Sequence, residues 1–313
     1  MAEARAAGPL GPALALVVNA FVWGISWWPF RELQAQGLHP LWATAGVYLL
    51  SLAVLIAWQP RVLALCAGHP GLLVLALASG LTNIGFNWAV TEGDVVRVVL
   101  LFYLMPAWSV MLAWPLLGER PTLAGVLRLV LALTGVGVVL DTSAQGLPLP
   151  RSLPDFLALG AGLCFALTNI LLRRLDRAAP ATRILAMFAG GLVLAALTGG
   201  LGGMQGHIPA PAVGLAALPL ALMLGLAFLG GNVALQFGAS RLPAQATALI
   251  MLSEVVFASV SSVALGAADL SLRTAAGGAL ILTAAAWAAW PDRPARPDPD
   301  AQSPGPAGSA RER

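Results

Sequence analysis

The sequence predicts an all-α membrane protein: ten transmembrane helices arranged as two inverted five-helix repeats. Three observations predict it. First, 58% of the 313 residues are hydrophobic and only 10% are charged, whereas a soluble domain carries about 25% charge. Too few charged groups remain to cover a surface in water. Second, the apolar residues fall in ten runs, each near the roughly 20 helical residues that a bilayer core requires. Third, two stretches of the first half align without gaps on two stretches of the second.

The runs fall at about 10–30, 39–58, 71–90, 95–117 and 122–140, then at about 153–172, 183–203, 215–238, 243–266 and 272–290. The first resembles a signal peptide at its start. Its apolar part continues to Phe30, however, which is the length of a spanning helix that stays uncleaved. The third carries Asn83 and Asn87, and the fourth carries Arg97 near its start, Pro106, and Gly118-Glu119 at its end. The eighth carries Asn232 and Gln236, and the ninth has Glu254 at its middle. Short loops hold most of the Pro, Gly and charge. Residues 1–9 and 141–152 read as an N-terminal extension and a linker, and the Pro-rich stretch 291–313 as a disordered tail.

The arginines give the orientation. With the N-terminus inside, thirteen of the seventeen Arg fall on the inner side, and only Arg31, Arg97, Arg151 and Arg273 fall outside. That is a positive-inside bias, so both termini are expected in the cytoplasm. The all-Arg, Ala- and Gly-rich usage reads as a GC-rich genome, and the expected location is a bacterial cytoplasmic (inner) membrane. The arginines are scattered at segment ends and make no basic patch, which argues against nucleic-acid binding.

In the internal alignment, "VNAFVWGISWWPFR" (18–31) pairs with "GAGLCFALTNILLR" (160–173), so Ser26 meets Thr168 and Arg31 meets Arg173. "LMPAWSVMLAWPLLGE" (104–119) pairs with "LSEVVFASVSSVALGA" (252–267), so Gly118 meets Gly266. Order and spacing are kept, and five is odd, so the second half enters the membrane upside down. Inverted repeats recur in secondary transporters, with substrate near the midplane. In the second half Glu254 replaces Pro106 and Ala267 replaces Glu119. Without the proline, the ninth segment need not bend as the fourth does.

Trp23-Gly24, Pro106, Gly118-Glu119 and the stretch "VVRVVLLFYLMPAWSVMLAWPLLGER" resemble the EamA-type transporters of the drug/metabolite transporter superfamily. The resemblance implies a first EamA-like repeat over 10–140 and a second over 153–290. It also implies transport of a small metabolite, with exporters of amino acids among the family.

The candidate path residues are the polar and aromatic groups set deep in these runs. Asn19 lies mid-way along the first. Asn83 and Asn87, like Asn232 and Gln236, are four apart and share a helix face. The first pair falls in the outer part of the membrane and the second in the inner part, as an inverted repeat places them. Each amide alone also reads as interhelical bonding, worth about 0.6 kcal/mol. Trp23 and Tyr103 lie deep enough to offer stacking or cation–π surfaces. Most other Trp sit near helix ends, as an interfacial belt does. Arg97 either pairs locally with Glu92 and Asp94 or binds a substrate carboxylate.

Glu254 is about eleven residues from either end of its run, too deep for a short side chain to reach water outside the protein. An ionised carboxylate there needs a cation, hydrogen-bond donors or a wet cavity. It therefore reads as a proton-coupling site, as the partner of a substrate amine, or as a fixed structural acid. Cys66, Cys164 and the three His are isolated, without metal-ligand spacing. No phosphate loop and no catalytic constellation occurs, so no enzyme activity and no cofactor is expected. The expected partners are a small-molecule substrate, membrane lipid and, where Glu254 titrates, a proton. The chain is expected as a monomer or homodimer.

Overall fold

The computed structural model describes residues 10–65, 69–92, 95–139, 150–211, 214–266 and 271–290. Cys66, Ala267, most of the linker and the terminal stretches 1–9 and 291–313 lie outside the described residues. The described chain folds into helices and turns alone. In order they are α1 (Leu10–Ile25), α2 (Trp27–Ala35), α3 (Pro40–Trp58), α4 (Val62–Leu65), α5 (Pro70–Glu92), α6 (Val95–Phe102) and α7 (Met105–Leu117). There follow α8 (Leu123–Val139), α9 (Leu153–Arg174), α10 (Pro180–Met204), α11 (Leu218–Ala239), α12 (Ala244–Met251), α13 (Ser253–Ala264) and α14 (Leu272–Ala289).

Among the described residues, eight helices are long and apolar enough to cross a membrane, α1 with α2 and α12 with α13 each counting as one span. Met105–Leu117 and Leu123–Val139 are apolar but shorter. Large apolar side chains such as Leu14, Phe21, Leu49, Leu73 and Leu77 are exposed on the outer faces. In a bilayer they meet acyl chains, and the backbone behind them is satisfied within its own helix. The chain is an integral membrane protein.

Local signals set the helix ends. Ser152 and Asp155 make a capping box at α9, the Ser152 hydroxyl accepting from the Asp155 N–H and the carboxylate from the Ser152 N–H at 3.2 Å. Proline occupies the first turn of α3, α7, α9, α10 and α11, where its missing N–H has no helical partner to lose. Gly118 and Gly266, paired by the alignment, both take positive φ (74° and 68°) just beyond α7 and α13.

The ninth predicted segment departs from the sequence reading. It contains no proline beyond Pro243 at its start, yet its helix is interrupted, as the fourth is. At Leu104 the N–H bonds back to Leu101 O (3.4 Å), and at Leu252 it bonds back to Leu249 O (3.2 Å), both i→i−3 turns. Leu104 and Leu252 are the residues that the alignment pairs. In the fourth segment Pro106 then starts α7. In the ninth no local breaker exists, and fully buried Leu252 sits inside the main core cluster. Tertiary packing sets that break. The first segment is also divided, at Ser26, whereas its aligned partner α9 runs unbroken past Thr168.

The packing follows one scheme. α1 lies along α11 and α13, α9 lies along α5 and α7, α3 lies along α10, and α8 lies along α14. Exchanging the first five predicted segments for the second five maps these neighbours onto themselves. Gly135 of α8 and Gly277 of α14 bring their backbones together: a Cβ at either would lie 2.8 or 2.6 Å from the other's carbonyl oxygen.

Candidate functional site

A cavity of about 810 Å³ opens on the face of the bundle where α2 ends and α14 begins. Arg31 and Gln34 stand exposed at its rim. Deeper in, a chamber of about 80 Å³ continues it, and Trp23, Phe86, Asn87 and Glu254 border both spaces. The chamber wall is largely aromatic: Trp23, Tyr48, Phe86, Phe102, Phe165 and Phe188. Among its lining residues Glu254 alone carries a formal charge at neutral pH.

The break at Leu252 explains how the acid is presented. It places Glu254 in the first turn of α13, where the Leu252 and Val255 N–H groups bond back to Leu249 O and Leu252 O. Tyr103 borders the outer cavity beside it. Gly24 lets the α1 backbone lie against this turn: a Cβ there would stand 2.8 Å from Glu254 O and 2.6 Å from Phe257 Cβ.

On α5, Asn83 and Asn87 face the chamber together, as their spacing predicts. Asn83 Oδ1 accepts from the Tyr48 hydroxyl at 2.8 Å, and its Nδ2 donates to Ser79 O at 2.8 Å. Asn87 Nδ2 donates to Thr44 Oγ1 at 2.9 Å. On α11, Asn232 lines the chamber while Gln236 is buried one turn on and donates to Asn232 Oδ1 at 3.1 Å. Asn19 is likewise buried outside the wall, and its Nδ2 meets the sulfur of the lining residue Met251 at 3.3 Å. Tyr103 borders the outer cavity and not the chamber. Arg97 lies on α6, and its side chain lies outside the described residues.

Sequence reasoning missed Tyr48, Thr44, Ser79 and Met187, which hold the amides in place. Their signal is weak, since hydroxyls and thioethers scattered in apolar runs look like ordinary helix packing. Tyr48, one of only two tyrosines in the chain, was the most findable.

Residues 10–141 match the model of the EamA-like transporter family. That stretch is similar to the family over somewhat less than half of the chain. The match ends within a residue of the fifth predicted segment and is consistent with the drug/metabolite transporter superfamily. A search of the curated proteins finds no match. A solved crystal structure, titled only as that of a protein, is similar over 88% of this chain and 96% of its own, with a TM-score of 0.69 and 21% identity. That likeness concerns the fold alone.

The motif residues of the matched stretch divide between the cavity and the opposite face of the bundle. Trp23 stacks on Phe228 with centroids 4.6 Å apart, fixing one wall. Gly24 seats α1 on the Glu254 turn, and Pro106 begins α7 beneath the chamber-lining residue Met105. Glu119, just past the left-handed Gly118, pairs with Arg173 at the opposite face of the bundle.

Proposed function

We propose that the chain is a secondary active transporter that exports a small metabolite by alternating access, holding it in the chamber between the two halves. The observation that carries this reading is the cavity itself, open at one face, closed at the other, and ending on a single carboxylate among aromatic rings and amides. A chamber of that composition suits a substrate with an amine and an apolar body, such as an amino acid. The amine pairs with Glu254, the body packs on the rings, and Asn83, Asn87 and Asn232 supply hydrogen bonds. The family match supports transport, and the self-mapping packing scheme, the paired breaks and the paired glycines support ten spans as two inverted repeats. The arginine distribution supports cytoplasmic termini and an inner-membrane location. Glu254 then serves as the proton-coupling site: one state buries it with its proton, and the other wets it and releases the proton.

Purified protein in liposomes tests the reading. Counterflow of labelled amino acids, sugars or organic cations, with and without a pH gradient, should reveal one substrate class that exchanges. A non-transporting receptor or scaffold shows no counterflow with any of them.

A further inference from the structure

Between the chamber and the opposite face, buried polar side chains stand among the apolar core. Four side chains buried there keep atoms with no protein hydrogen-bond partner: Asn19 Oδ1, Gln236 Oε1, Thr247 Oγ1, and both Nδ2 and Oδ1 of Asn169. Asn169 and Thr247 are each 1% exposed. Buried polar groups are nearly always satisfied, so these exceptions require an explanation.

Their placement supplies one. On α9, Phe165 lines the chamber, Asn169 is one turn further on, and Arg173 is one turn beyond that. On the ninth segment, Met251 lines the chamber, Thr247 is one turn back, and Ala244 begins α12. On the fourth, Met105 lines the chamber, Ala113 follows two turns on, and Glu119 ends the segment. Ala113, Ile170 and Ala244 pack in one small cluster, so the three helices meet there.

At the far end they are tied together. Glu119 pairs with Arg173 and accepts from the Ala244 N–H at 3.3 Å, and Arg173 donates to Leu242 O at 3.2 Å. This pair is partly exposed, with side chains 31% and 24% accessible. Such pairs are weak, strong enough to bias a two-state equilibrium and weak enough to break each cycle. The mouth is built differently. Arg31, which aligns with Arg173, stands at its rim, but the sequence has Ala267 where Glu119 has its counterpart.

We propose that Asn169 and Thr247 line the closed half of the substrate path, and that Glu119 and Arg173 are the latch that keeps it shut. When the latch opens, water and substrate reach the unpartnered amide and hydroxyl, and the mouth closes in exchange. The proposal rests on the transporter reading.

The test uses single cysteines in a chain from which Cys66 and Cys164 have been removed. Asn169→Cys reports the closed half, Asn87→Cys reports the open cavity, and a small charged methanethiosulfonate is the probe. With Glu119 intact, Asn87→Cys reacts and Asn169→Cys does not. Glu119→Gln should raise the rate at Asn169→Cys by about tenfold and lower it at Asn87→Cys, as a population shift requires. Exchanging the charges (Glu119→Arg with Arg173→Glu) should restore both rates in part, since the ion pair returns while the bonds to the Ala244 N–H and Leu242 O do not. An unchanged rate at Asn169→Cys, or a rise at both reporters together, overturns the latch. Counterflow by the unmodified chain is measured alongside. Its presence with immobile reporters overturns the latch alone, and its absence overturns transport.

Discussion

Glu254 meets two opposed demands. It borders the wide outer cavity, an environment that can hold a charge. It also closes a small chamber walled by aromatic rings, which resists one. Glu254→Gln keeps the shape and the hydrogen bonding but cannot ionise. The variant should fold normally and retain counterflow, while transport driven by a pH gradient falls by about tenfold or more. Unchanged pH dependence would leave Glu254 a structural acid. Tyr48 has a different kind of role, since its hydroxyl satisfies Asn83. Tyr48→Phe removes that donor and should cost about 1 kcal/mol, read as a fall of roughly 2 °C in the melting midpoint in detergent. Glu254 and the amides were legible in the sequence because a polar group in a long apolar run has few innocent explanations. Tyr48 and Met187 were not, because such residues are at home in a core.

At the scale of elements, the interrupted helices matter most. The interruption at Leu252 places Glu254 in the first turn of α13, against Gly24 of α1. Pro106 announces the matching break in the fourth segment, but nothing near Leu252 does, because packing and not local chemistry makes it. The alignment of Leu104 on Leu252 held that information, and the missing proline obscured it. α1 must approach the α13 start closely, and Gly24 is what permits this. Gly24→Val should therefore reduce the fraction of monodisperse protein in gel filtration and abolish counterflow. Gly46 on α3, where an added Cβ would meet nothing within 4 Å, is the control. Gly46→Ala should leave both unchanged, or stabilise by about 0.5–1 kcal/mol.

At the scale of the molecule, hydropathy predicted ten spans, and among the described residues eight helices are long and apolar enough to cross a membrane, with Met105–Leu117 and Leu123–Val139 shorter. It does not say which end faces the cytoplasm; only the arginines bear on that. The mouth face carries Arg31, Arg151 and Arg273 at helix ends, while the latched face carries Arg120, Arg173, Arg174, Arg177 and Arg241. The positive-inside rule makes a cytoplasmic latched face the expected orientation. α10 offers a direct test, since its 25 residues rise about 37 Å and its two ends must lie on opposite sides. Ala179 before it and Gln205 after it are both exposed, and neither substitution alters the charge count. In the cysteine-free chain in intact cells, Gln205→Cys should react with a membrane-impermeant thiol reagent. Ala179→Cys should react only after the membrane is permeabilised. The reverse pattern would turn the molecule over, so that the open mouth faces the cytoplasm and Glu119–Arg173 latches the outside. In that orientation an unlatched chain still alternates, but the described state is the one that loads substrate from within.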